Sequence, residues 1–124
     1  MTSRVLVVDD SKTARKEVVR LIHNMGVYTV EAENGAEAIE QVKNHEDIVL
    51  IFCDVNMPVM DGISMAEEMK NDASIKDIPI IMITTEATTE VMTKAKSAGV
   101  KGWLVKPPDG HSIRSLVEKF VHAS

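Results

Sequence analysis

Five times along this chain a short run of β-branched and apolar residues gives way to a longer stretch with helical spacing. That alternation narrows the available folds more than any other feature. The runs are RVLVV at 4–8, YTVEA at 28–32, IVLIFC at 48–53, IPIIMIT at 78–84 and GWLV at 102–105. The first, third and fourth are almost uninterruptedly apolar, the pattern of strands covered on both faces of a sheet. The second interleaves Thr29 and Glu31 and is expected at an edge. Strands separated each time by a helix favour parallel pairing, because parallel neighbours need a crossover and the crossover is usually a helix.

The helical stretches carry their own signals. Ala14, Val18, Leu21, Ile22 and Met25 share one face, with Gly26 after them as a C-terminal stop. Asn34 predicts the cap of a second helix, with Glu37 three residues on as in a capping box, and Ile39 and Val42 on its apolar face. Met65, Ala66 and Met69 form the third stripe. Val91, Met92, Ala95 and Ala98, followed by Gly99, form the fourth, and Ile113, Leu116, Val117, Phe120 and Val121 the fifth. We read Met65, Met69 and Met92 as core filler, and Met57 and Met60 as residues that shape the loop around Pro58.

No repeat, low-complexity stretch or linker interrupts the pattern, so residues 1–124 are expected to form one α/β domain. A chain of 124 residues buries a real core without disulfide or zinc support. The single Cys53 lies inside an apolar run and is expected to be a buried, inert thiol. With a net charge of −5 the chain lacks the broad basic field that nucleic acid or an anionic membrane would require, so neither is an expected partner. The apolar stretch in MTSRVLVVDD is too short for a secretory signal and no run of about 20 apolar residues could span a bilayer, so a cytoplasmic location is expected. His23, His45, His111 and His122 show no ligand-like spacing, and none is read as a phosphodonor.

In a parallel α/β sheet, ligands bind in the crevice at the carboxyl ends of the strands. Asp9, Asp10 and Ser11 follow the first strand, and Asp54, Val55 and Asn56 the third. Thr84, Thr85 and Glu86 close the fourth, and Lys106 and Pro107 the fifth. Each has a bland reading: Asp10 or Ser11 as a helix cap, Thr84 as a strand end, Lys106 as a surface lysine. Their convergence is harder to dismiss. Three carboxylates brought together repel unless a cation offsets them, and a charge ending a buried run, as Asp54 does, is costly unless paired. Oxygen ligands favour a hard cation such as Mg²⁺ beside phosphate, and a lysine with a hydroxyl opposite would complete a phosphoryl site.

The motifs VLVVDDS, FCDVNMPVMDG, IIMITTEA and GWLVKPP, in this order and spacing, resemble the response regulator receiver domain of the stand-alone chemotaxis-regulator type. The resemblance covers essentially the whole chain. It implies a doubly wound, flavodoxin-like sheet of order 2-1-3-4-5 with five helices. It implies that Asp54 accepts a phosphoryl group from the phosphohistidine of a sensor histidine kinase. Asp10 would bind Mg²⁺ directly, Asp9 through water, and Asn56 by its main-chain carbonyl. Lys106 would pair with Asp54 and then with a phosphoryl oxygen, while the Thr84 hydroxyl takes another. Thr84 and Trp103 would form the switch, and Asn56, Thr85 and Glu86 would tune dephosphorylation. The family commonly holds the bond matching Lys106–Pro107 in cis. Thr85, Trp103 and Pro108 depart from its usual residues.

On this reading the chain is a phosphoacceptor switch with self-phosphorylation and self-dephosphorylation chemistry only, not an enzyme acting on other substrates. Phosphohydrolases of the haloacid dehalogenase type need a second acid two residues after the nucleophile, where this chain has Asn56, which cannot transfer a proton near neutral pH. A phosphorylation-independent scaffold would be expected to lose the acids, the threonine or the lysine. The output stays open. A flagellar switch docked on helix four, strand five and helix five, a phosphotransfer protein in a relay, and a receiver fragment of a larger regulator all fit, with a phosphatase as a further partner.

Overall fold

The computed structural model describes residues 3–85 and 87–121; Glu86 and His122 lie outside them. Strands and helices alternate as β1 (Arg4–Val8), α1 (Lys12–His23), β2 (Tyr28–Ala32), α2 (Gly35–Asn44), β3 (Ile48–Cys53), α3 (Gly62–Lys70), β4 (Ile80–Thr84), α4 (Thr89–Ser97), β5 (Gly102–Val105) and α5 (Gly110–Val121). All strand pairs are parallel, in the order β2-β1-β3-β4-β5. The expected sheet is therefore observed, with β2 at one edge.

Strand alternation sorts the core into two halves. Leu6, Val8, Ile51, Cys53, Ile80 and Met82 face α2, α3 and α4, where they meet Ala38, Met65, Met69 and Ala95. Val5, Val7, Leu50, Phe52, Ile81 and Ile83 face α1 and α5, against Val18, Val19, Ile22, Ile113 and Val117. Burying a side chain of this kind stabilises the fold by roughly 1.5–3 kcal/mol. The three central strands, apolar on both faces, thus make a rigid platform.

The helices start where short polar side chains satisfy their first amides. Ser11 caps α1, Asn34 caps α2 by accepting from the Glu37 amide, Asp61 caps α3 and Thr88 caps α4. Gly26 and Gly99, at φ +77° and +93°, turn the chain after α1 and α4 in the left-handed region that glycine tolerates.

Three sequence expectations shift. β4 begins at Ile80 rather than Ile78, because Pro79 has no amide to give the ladder, although its carbonyl accepts from the Ile51 amide at 3.0 Å. On α1 the fully buried residues are Arg15, Val18, Val19 and Ile22, whereas Leu21 and Met25 lie at the margin. The stripe is rotated toward β2, and it carries a charge. Met65 and Met69 are core residues as expected, while Met92 is only half-buried. Cys53 is wholly buried, and burial, aided by the Asp54, Asp9 and Asp61 charges, pushes its thiol well above the usual value, as an inert cysteine requires.

Candidate functional site

Sheet register assembles the site. Val8 pairs with both Ala32 and Cys53, so the residues after them, Asp9 and Asp54, leave the sheet side by side. The Asp54 amide donates to the Val8 carbonyl at 3.0 Å, and the Asp9 amide to Ala32 at 3.1 Å. Thr84 pairs with Val105, and the next amide, that of Lys106, donates to the Thr84 carbonyl at 2.9 Å. The Lys106–Pro107 peptide is cis, as the family pattern implied.

From this position the Lys106 side chain crosses the strand ends. Its Nζ lies 2.7 Å from Asp9 Oδ2 and 3.1 Å from Asp54 Oδ2. The other carboxylate oxygens accept main-chain amides, Asp9 Oδ1 from Ser11 at 2.9 Å and Asp54 Oδ1 from Val55 at 2.8 Å. Burial raises the Asp54 carboxyl above its usual pKa, opposed by Lys106 and by the Val55 amide, with the Asp9 charge adding to the rise. Burial also works against the Lys106 ammonium, but its hydrogen bonds to Asp9 and Asp54 outweigh this and hold its pKa above the ordinary value.

Asp9, Asp10 and Asp54 each present a carboxylate oxygen within 4.8 Å of the others. Three hard oxygen donors on one cation suit a divalent ion of the Mg²⁺ type, and the arrangement fits one. Asp9 and Asp54 are held alike, each with one oxygen on a main-chain amide and the other on Lys106, and each carboxylate keeps further lone pairs for a cation. Asp10 is exposed at the rim. Asn56 stands exposed two residues beyond Asp54.

Thr84 is 2% exposed at the end of β4, and Thr85 is exposed. A cavity of about 270 Å³ opens beside the site, with Asp9, Asp54, Lys106 and Thr85 among its lining residues and Val18, Phe52 and Pro108 among its apolar ones. Trp103 is half-buried, packs against the α2–α3–α4 half of the core and pairs in register with Met82. Asp9, Asp10, Asp54, Thr85 and Lys106 are thus gathered at one crevice, Thr84 is buried at the end of β4 with its carbonyl on the Lys106 amide, and Trp103 stands two residues before Val105 on β5.

Other residues of the site carry no role in the sequence reading, Val59 and Gly62 inside the FCDVNMPVMDG motif and Arg15 outside every motif. Gly62 opens α3 where a Cβ would overlap the Asp54 carbonyl oxygen, and its amide donates to Val55 at 2.8 Å. Met60 donates to the Pro58 carbonyl at 2.7 Å across Val59, whose φ is +67°, so the rim holds a γ-turn on a β-branched residue. Arg15, 7% exposed, donates Nη1 to the Asp9 carbonyl at 2.8 Å and Nε to Glu31 at 2.8 Å. The available signal was its spacing, since Arg15 lies three and seven residues before Val18 and Ile22 and so falls on the apolar stripe.

A family model described as the response regulator receiver domain matches residues 5–118. The chain is 40% identical over 116 residues to chemotaxis protein CheY1 of Helicobacter pylori, covering 93% of this chain and 94% of that protein. It aligns with the crystal structure of chemotaxis protein CheY4 of Vibrio cholerae at a TM-score of 0.88 and 32% identity, covering 97% of this chain and 99% of that one. A chain of the CheX-CheY-BeF3-Mg+2 complex from Borrelia burgdorferi aligns at a TM-score of 0.85 and 28% identity, covering 94% and 87%.

Proposed function

Because the chain belongs to the response regulator receiver domain family, we propose that Asp54 is its phosphoacceptor, taking a phosphoryl group from the phosphohistidine of a sensor histidine kinase. The observation that carries this reading is the Lys106 ammonium set between Asp9 and Asp54, with Asp10 alongside. Lys106 and the Val55 amide each fix one Asp54 oxygen, so the carboxylate meets an incoming phosphoryl group in a set orientation. Orientation and charge neutralisation are most of what phosphoryl transfer asks of a protein. The step exchanges the P–N bond of the donor imidazole for a P–O bond to Asp54, and the bonding electron pair stays on the imidazole nitrogen.

Asp10, Asp54 and the Asn56 carbonyl would hold Mg²⁺, with Asp9 acting through water, and the ion when bound neutralises charge on the phosphoryl oxygens. Lys106 then turns from an Asp54 oxygen to a phosphoryl oxygen, and the Thr84 hydroxyl takes another. Thr84 is tied to β5 through its carbonyl and the Lys106 amide, which supports Trp103 as the residue that carries the change along β5. Asn56, Thr85 and Glu86 tune the hydrolysis that resets Asp54. The protein is the substrate of this chemistry and acts on no free phosphate ester, since Asn56 cannot serve as the second acid.

The output is of the chemotaxis type, a downstream protein such as a flagellar switch reading the face of α4, β5 and α5, with a phosphatase as a further partner. The likeness to chemotaxis proteins CheY1 of Helicobacter pylori and CheY4 of Vibrio cholerae supports the chemotaxis type, and the CheX-CheY complex from Borrelia burgdorferi supports a protein partner. The reading places the protein in the cytoplasm; among the described residues no helix is long and apolar enough to cross a membrane.

Incubation with acetyl phosphate and Mg²⁺, followed by intact-mass measurement, tests the core of the proposal. The wild-type chain should gain one phosphoryl group, and Asp54→Asn should gain none. A variant that still gains the group, or a wild type that never does, overturns the assignment.

A further inference from the structure

We propose that Arg15 is a positioning residue for the metal site, acting through the peptide group that joins Asp9 to Asp10. The inference rests on the reading of Asp9, Asp10 and Asp54 as a Mg²⁺ site. Arg15 is 7% exposed, and its guanidinium is costly to bury unless its donors are used, whereas an apolar residue would fit this stripe of α1 at no such cost. The donors of Arg15 are used in a specific way. Nη1 binds the carbonyl of Asp9, the oxygen of the peptide that joins Asp9 to Asp10. The next peptide, Asp10 to Ser11, is held in turn by its amide, which donates to Asp9 Oδ1 at 2.9 Å. Asp10 itself is exposed, so these two bonds orient the main chain from which its carboxylate projects.

Arg15 is itself anchored from outside the loop. Its Nε pairs with Glu31 on β2 at 2.8 Å, and Lys16 holds the second oxygen of Glu31 at 2.8 Å. Burial pushes the Glu31 carboxyl up, but these two cations outweigh it and keep the group below its ordinary pKa. The chain of support therefore runs from β2 through Glu31 and Arg15 to the Asp9–Asp10 peptide. A lysine at position 15 keeps the charge, but its single ammonium lacks the planar fork that reaches a carbonyl and a carboxylate together.

Calorimetric titration with Mg²⁺ and phosphorylation by acetyl phosphate at graded Mg²⁺ test the proposal on wild type, Arg15→Lys and Glu31→Gln. Arg15→Lys should raise the Mg²⁺ dissociation constant roughly tenfold, as loss of an outer-shell partner does. The Mg²⁺ concentration for half-maximal phosphorylation should rise with it, so that the lost rate is recovered at high Mg²⁺. Glu31→Gln should shift both in the same direction by less, and it decides the matter alone if Arg15→Lys does not fold. Dissociation constants within about twofold of wild type in the folded variants, with only Tm lowered, would make Arg15 a structural brace and overturn the proposal. A rate that falls and is not recovered by Mg²⁺ also overturns it. A wild type that binds no Mg²⁺ overturns the metal-site reading, and this inference with it.

Discussion

Asp54 keeps its side chain 12% exposed, and burial raises its pKa although Lys106 and the Val55 amide both favour the charged form. A carboxyl raised in this way binds more protons in the native state than in the unfolded chain between its ordinary value of 3.8 and its folded value. Stability therefore falls as pH rises through that window and stays lower above it. Asp54→Asn removes the penalty at nearly constant shape, and Lys106 retains Asp9 as a partner. We expect this variant to be more stable than wild type by about 1 kcal/mol at pH 7 in urea unfolding without Mg²⁺. The difference should shrink as pH falls toward 3.8, where wild-type Asp54 also becomes neutral. Equal stabilities at pH 7 would show that Lys106 compensates the carboxylate fully.

The turn from β3 to α3 brings opposing demands together in a few residues. At Val59 the backbone enters the left-handed region at φ +67°, where a β-branched side chain is strained, and the side chain is 85% exposed and contributes little packing in return. At Gly62 the chain passes so close to Asp54 that no Cβ fits. Val59→Gly should accordingly stabilise the protein by about 1 kcal/mol, the relief of strain exceeding the added freedom of the unfolded chain. Gly62→Ala should destabilise it by about 3 kcal/mol or more, since the atom in the way is backbone and cannot swing aside. Thermal unfolding of the two variants checks both signs. The elements themselves were legible in the sequence, because apolar period is set by neighbours a few residues apart. The start of β4 at Ile80 follows from Pro79, a local signal that the apolar run around it masks, whereas the burial of Arg15 on α1 depends on Glu31 in another strand.

Over the whole molecule, the site exists only in the folded chain. Lys106 meets Asp9 across a separation of 97 residues and Asp54 across 52. A cation that binds this assembly and not the unfolded chain must stabilise it, by about 2.7 kcal/mol when free Mg²⁺ is a hundred times its dissociation constant. Tm should therefore climb with Mg²⁺ concentration in wild type and respond far less in Asp10→Ala; a flat response in wild type would count against the metal site. The sequence by itself determined the order of strands and helices, the residues that end each strand and the chemistry they carry. Motif spacing added the family and, through it, the order of the sheet. These are properties of short stretches of chain, readable wherever the period and the side chains are. Tertiary structure decided which oxygens face which donors, that one lysine holds Asp9 and Asp54 together, that Val59 is strained, and that a buried arginine grips the peptide leading to Asp10. Those follow from strand register and helix packing between segments far apart in the chain, which local pattern does not encode.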